Sequence, residues 1–248
     1  MKSFLHPSLA LLVSVLMAFP ATAQDGTTTA VTRDLEMWSG VGLTKKLNKN
    51  IEFSVRQQVR TWHNATQLDE FSTDAGVQYR FLNNQMRFGG NYRIIRDYDN
   101  EDNTFKTEQR FSLDAEYRHT FNRLVLGYRM RYTNRNDVGE TSSTIEEEDD
   151  DDPIHQYRGR LEARYNIRDW KFDPIVSVEV FRRYQEDVLA TWNRLRFSLG
   201  TNYKLKNFGK LGVRYRMERN WAAAVPQTTG IVGLNLTYDL KNLKLKKN

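Results

Sequence analysis

Apolar and polar residues alternate with a period of two along most of the chain. Residues 51–62 read Ile-Glu-Phe-Ser-Val-Arg-Gln-Gln-Val-Arg-Thr-Trp, with apolar side chains mostly at odd positions and polar ones at even positions. Over 71–81, Phe71, Ala75, Val77, Tyr79 and Phe81 share one face, and Asp74, Gln78 and Arg80 share the other. Over 123–133, Leu124, Leu126, Tyr128, Met130 and Tyr132 alternate with Arg123, Gly127, Arg129 and Arg131. The pattern recurs near 35–47, 86–96, 105–119, 157–167, 172–182, 193–205, 211–221 and 231–240. A strand flips its side chains at every step, so each segment predicts a strand with one apolar and one polar face. A helix needs spacings of three and four, which these windows lack. The chain is predicted to be all-β.

Such strands suit either a soluble sandwich or barrel, apolar faces inward, or an outer-membrane barrel, apolar faces against lipid. Three features favour the second. Short turns at 48–50, 82–84, 120–122, 167–169 and 206–209 alternate with longer connections around 63–70, 97–104, 134–156, 185–191 and 222–229; short periplasmic turns and longer outer loops mark membrane barrels. Tyr79, Phe81, Tyr117, Tyr165, Tyr203 and Tyr238 lie on the apolar face beside the short turns, and Tyr98, Phe105, Tyr132, Tyr157, Tyr184 and Trp221 lie on it near the longer loops. Two such belts match the headgroup levels of a bilayer. About nineteen arginines fall on the polar face, and each costs ~2–4 kcal/mol at the lipid midplane, so in a membrane they must face the lumen. The expected fold is an antiparallel up-and-down transmembrane β-barrel of 10–12 strands over residues 34–240. Eleven segments alternate, whereas bacterial single-chain barrels have even numbers. Either Thr27 to Thr32 adds a strand, giving twelve, or 35–47 lies outside the wall, giving ten; twelve is the expectation.

Residues 1–23 read as a signal peptide, with Lys2 at the positive end, an apolar run from Ser8 to Phe19, and a small-x-small site at Ala21-Thr22-Ala23. Cleavage near Ala23 implies export and, with the barrel pattern, the outer membrane of a Gram-negative bacterium. An N-terminal segment, 24–33, precedes the barrel and a basic tail, 241–248, follows it. The 248 residues contain no cysteine, which removes disulfides, thiolate metal sites and cysteine nucleophiles.

The stretch Leu35-Glu36-Met37-Trp38-Ser39-Gly40-Val41, followed by Lys45-Lys46-Leu47, resembles the opening of an uncharacterised bacterial family catalogued as domain of unknown function 2490. The repeated pairs Tyr79-Arg80, Tyr92-Arg93, Tyr117-Arg118 and Tyr128-Arg129 resemble it too. The resemblance spans about Asp34 to Leu240 and implies an outer-membrane-type barrel without an established activity, so it transfers no functional residue. In size and arginine lining the chain also resembles small porins for acidic oligosaccharides.

The candidate chemistry is that of the lumen. Arg56, Arg60, Arg93, Arg129, Arg131, Arg160, Arg164, Arg194, Arg196, Arg214 and Arg216 are the lumen-lining candidates for anion binding, because guanidinium forks fit carboxylate and phosphate and Arg/Lys rings build anion-selective pores. Inward carboxylates such as Glu52, Asp74, Asp114, Glu116, Glu162, Glu179 and Glu218 offer the alternative, a salt-bridged, occluded interior serving structure or a protein partner. Glu146 to Asp152 is an unbroken run of seven carboxylates in the long acidic loop 134–156. It reads as a solvated run, a gate over a positive mouth, or a binder of cations between lipopolysaccharide headgroups. It lacks the spacing of a calcium loop, and no metal or other cofactor is expected. An outer-membrane lipid hydrolase is a second alternative, but it needs a nucleophile–base pair near the bilayer, whereas His63 and His155 fall in outer loops and His119, near a short turn, is followed by Thr120 rather than serine, so no enzyme and no catalytic residue are expected. Expected partners are outer-membrane lipids, lipopolysaccharide and small anionic solutes. Nucleic acid is not expected, because the positive charge is interleaved with apolar positions in an exported chain.

Overall fold

Strands form wherever the alternation predicts them: β1 (Thr32–Lys46), β2 (Ile51–Trp62), β3 (Gln67–Phe81), β4 (Met86–Asp99), β5 (Thr104–Phe121), β6 (Leu124–Val138), β7 (Ile154–Tyr165), β8 (Phe172–Gln185), β9 (Val188–Leu205), β10 (Gly209–Asn220) and β11 (Gln227–Asp239). The structure is a computed structural model that describes residues 32–99, 103–138, 154–185, 188–205, 209–221 and 227–240. The expected signal peptide, most of the 24–33 segment, the acidic run 146–152 and the basic tail lie outside the described residues.

The strands close into one barrel in which sequence neighbours pair antiparallel and β1 pairs β11 in parallel, from Thr32 opposite Gln227 to Thr44 opposite Asp239. The expected even count is thereby corrected to eleven. Segment 35–47 is a wall strand, and β1 itself closes the ring. When every consecutive pair is antiparallel, an odd number of strands makes the first and last run the same way, so the seam must be parallel. Parallel pairing is slightly less stable per residue.

Tight turns join the strands at one end. Asn83, Asn84, Asn122 and Asp169 take the left-handed backbone that Asn and Asp tolerate best, and Gly209 opens β10 at φ 130, where a Cβ would lie 1.8 Å from the Thr237 carbonyl oxygen. The opposite end differs from expectation. β6 runs to Val138 and β7 starts at Ile154, so strands reach into the loop placed at 134–156, and parts of 63–70, 97–104, 185–191 and 222–229 also belong to strands. Near that end the outward positions turn polar, as at Arg96, Thr107, Asn134 and Arg182. The hydropathy signal fades there while the backbone ladder continues.

The faces divide by exposure. Outward residues such as Val41, Met130, Leu161 and Leu199 are more than half exposed. Aromatics cluster at both ends of this apolar wall. Phe81 stacks on Phe88 at 5.2 Å and Phe172 meets Tyr203 at 5.1 Å toward the tight turns. Tyr98 meets Phe105 at 5.0 Å and Tyr132 meets Tyr157 at 5.3 Å toward the other end. The buried apolar side chains Ile95, Ile175, Phe181 and Ile231 share strand parity with the inward charged residues, so the barrel's small core lies inside it.

Candidate functional site: the arginine-lined lumen

The inner wall follows from register. Each strand contributes alternate residues, and cross-strand partners line up as rows of charge. One row runs Arg56, Asp74, Arg93, Arg110, Arg135 across β2 to β6. Another runs Glu116, Arg129, Arg160, Glu179, Arg196, Glu218 across β5 to β10. These rows enclose a cavity of about 780 Å³ lined by fourteen arginines and nine carboxylates.

Carboxylates bind most of the guanidiniums. Asp114 accepts two hydrogen bonds from Arg131, at 2.6 and 2.7 Å. Glu70 accepts from Arg60 at 2.8 Å and lies 3.8 Å from Arg93, which also donates to Asp74 at 2.8 Å. Glu179 joins Arg129 of β6, at 2.9 Å, to Arg196 of β9, at 3.4 Å. Glu218 accepts from Arg194 at 2.7 Å and Arg196 at 2.6 Å. Glu162 takes Arg160 at 3.5 Å and Arg164 at 3.2 Å, and Glu108 takes Arg110 and Arg135.

Four lining arginines, Arg56, Arg158, Arg214 and Arg216, have no carboxylate within salt-bridge distance among the described residues. Arg158 donates to Gln156 at 2.7 Å, and Arg214 reaches the Thr201 carbonyl oxygen at 3.5 Å. Arg216 has a buried Nη1 without a hydrogen-bond partner. It fits because residue 233 is glycine: a Cβ there would stand 2.6 Å from that nitrogen.

Two inward aromatic rings gather guanidiniums at cation–π distances. Arg60, Arg216 and Arg196 lie 4.0, 5.0 and 5.3 Å from the Trp38 ring. Arg194, Arg196 and Arg158 lie 4.6, 4.8 and 5.3 Å from Phe181. The Trp38 indole N–H donates to Glu36 at 2.7 Å. Toward the end opposite the tight turns, a bulge in the β2–β3 pairing leaves Asp69 without a partner position and puts Asp69 and Glu70 both on the cavity wall, with Glu36 and Asp97. Among the described residues no three His, Asp or Glu side chains group as a metal site.

All eleven arginines named from the sequence point inward, and ten line the cavity; Arg164 sits beside it on Glu162. Sequence reasoning missed Arg110, Arg135, Arg158 and Arg183 as lining residues, and Trp38 and Phe181 as inward rings. The signal was present: Trp38 has the parity of Glu36 and Gly40, and Phe181 that of Ser177 and Glu179. The described histidines pack on aromatic rings, His63 on Trp62, His119 on Phe121 and His155 on Tyr132.

No curated protein matches the chain in sequence. Among solved structures, a bacterial polysaccharide outer membrane secretin is 12% identical, with a TM-score of 0.47 over 76% of this chain and 63% of that one. This chain therefore spans less than two thirds of that structure. The beta domain of the Bordetella autotransporter Brka is 10% identical, with a TM-score of 0.49 over 75% of this chain and 82% of that one. Residues 35–229 match the family described as a protein of unknown function, DUF2490, and the chain belongs to that family.

Proposed function

We propose that this protein is an outer-membrane barrel whose lumen is a narrow pathway preferring small anions. The observation that carries the reading is the excess of arginine over carboxylate on the cavity wall, with Arg56, Arg158, Arg214 and Arg216 left without an acidic partner. Guanidiniums set side by side on neighbouring strands repel one another, as at Arg93–Arg110, Arg129–Arg160 and Arg131–Arg158. A mobile anion relieves that repulsion, and its planar oxygens fit the fork of two donors. The apolar exterior and its two aromatic belts support the membrane setting, with the tight-turn end periplasmic. The reading assigns the chain no catalytic step and no cofactor.

The buried Ile95, Ile175, Phe181 and Ile231 inside the barrel favour a second reading, an occluded barrel that serves structure or a protein partner. Planar-bilayer recording of the refolded full chain across a KCl gradient decides between them. The expected result is a small conductance whose reversal potential marks chloride as the preferred ion, shifting toward the cation side in the Arg214→Glu/Arg216→Glu variant. Absence of current removes the channel and leaves the occluded barrel; cation preference in the wild type removes the anion pathway.

A further inference from the structure

On the outer wall of β8, β9 and β10, two arginines and two tryptophans form a patch that the lumen does not use. Arg182, on the lipid-side face of β8, lies with its guanidinium carbon 5.9 Å from the Trp192 ring. Trp192 is outward because of a bulge: Phe181 pairs with Arg194 and Arg182 with Trp192, so Asn193 is the extra residue and both Trp192 and Leu195 stay outside. The Trp221 indole N–H donates to the Trp192 carbonyl oxygen, and the Trp221 backbone N–H donates to that of Asn193 at 3.1 Å. Arg219, opposite Leu195 in the β9–β10 register, completes the group. Trp192 is 55% exposed and Trp221 44%, and both arginines are exposed. Neither arginine has an acidic partner among the described residues.

The level of the patch is set by what lies beneath it. The next outward residues toward the tight turns are Val180 on β8, Leu195 and Phe197 on β9, and Met217 and Tyr215 on β10. The arginines therefore sit one step beyond the apolar belt, where tryptophan marks the headgroup layer. An unpaired guanidinium at that depth needs an anion that the bilayer itself supplies.

We propose that Arg182 and Arg219, framed by Trp192 and Trp221, bind the phosphates of a phosphorylated glycolipid of the outer leaflet. Two forks, on β8 and β10 either side of β9, each offer bidentate contacts to phosphate oxygens, while the indoles pack on the sugar and acyl boundary. The inference rests on the outer-membrane reading, with the tight turns periplasmic.

The test uses the full chain refolded into phosphatidylcholine nanodiscs containing bis-phosphorylated lipid A, with bound lipid counted by native mass spectrometry after release. Heat-modifiable migration first establishes that wild type and variants insert alike; failure of the wild type to insert overturns the outer-membrane reading itself. The Arg182→Gln/Arg219→Gln variant is expected to lose about tenfold in lipid A affinity and each single change about threefold. Arg96→Gln, on the outer face of β4, is expected to bind as wild type. Lipid A stripped of both phosphates is expected to bind no better to wild type than to the double variant, and inorganic phosphate to leave occupancy unchanged. Equal affinity of the double variant and wild type overturns the proposal, as does equal binding of dephosphorylated lipid A. Displacement by inorganic phosphate overturns the lipid and assigns the patch to free anions.

Discussion

Replacing Glu179 by alanine is expected to lower the unfolding free energy of the barrel by about 3–5 kcal/mol, the usual cost of leaving buried charge without its partner. Glu179 is 6% exposed on the inner face of β8 and holds Arg129 and Arg196 at once. Its register neighbours on both sides are arginines, Arg160 and Arg196. Without the carboxylate, Arg129 keeps only Asp114 at 4.0 Å, and Arg196 keeps Glu218, which it already shares with Arg194. Denaturant unfolding from lipid vesicles, followed by tryptophan fluorescence, measures the change. Glu179→Gln should lose less, because one acceptor oxygen remains. A triple change of Glu179, Arg129 and Arg196 to methionine should recover much of the loss, since well-packed apolar residues often replace a buried ion cluster without penalty. A loss below about 1 kcal/mol for Glu179→Ala would place the ladder in bulk-like water, where such pairs contribute little.

Glu179 also shows which part of the site could be read from the chain. Its inward orientation follows from parity alone: Ser177, Glu179 and Phe181 alternate with Val176, Val178 and Val180. Parity likewise puts all eleven predicted arginines on the inner wall. Partner choice is a different matter. Arg129 lies fifty positions from Glu179, and the pair exists only because one intervening strand, β7, places β6 and β8 on a common arc. Strand number was legible only to within one, because closure is a property of the ring and no local residue pattern marks a parallel seam. The bulges at Asp69 and Asn193 were equally hidden. Each shifts parity by one residue, so that simple alternation puts Trp192 on the inner wall, with Arg194 and Arg196. The polar outward residues near the ends of β4, β6 and β8 had the opposite effect, making ordered strand look like loop.

Met130→Arg is expected to cost about 2–4 kcal/mol in a bilayer, against a few tenths for Arg56→Gln. The contrast decides which face meets lipid. Met130 lies midway along β6, is 55% exposed, and is flanked in register by the small residues Ala115 and Gly159. A guanidinium there has no nearby backbone or carboxylate to take its hydrogen bonds and must reach several residues along the wall to find headgroups. The Arg56 side chain points into the lumen and makes no hydrogen bond or ion pair among the described residues, so its removal breaks neither, and the attraction lost from Asp74 opposite it offsets the repulsion relieved from the neighbouring arginines. Folding yield into vesicles and the unfolding midpoint report both variants. If the apolar face packed against protein in a soluble assembly, Met130→Arg would act at the protein concentration that controls assembly, and changing the bilayer thickness would leave its cost unaltered. In a membrane barrel the cost follows depth: the same substitution at Tyr98 or Tyr184, beside the headgroups, should fall to about 0–1 kcal/mol. A flat profile across these three positions would be incompatible with a lipid-facing wall.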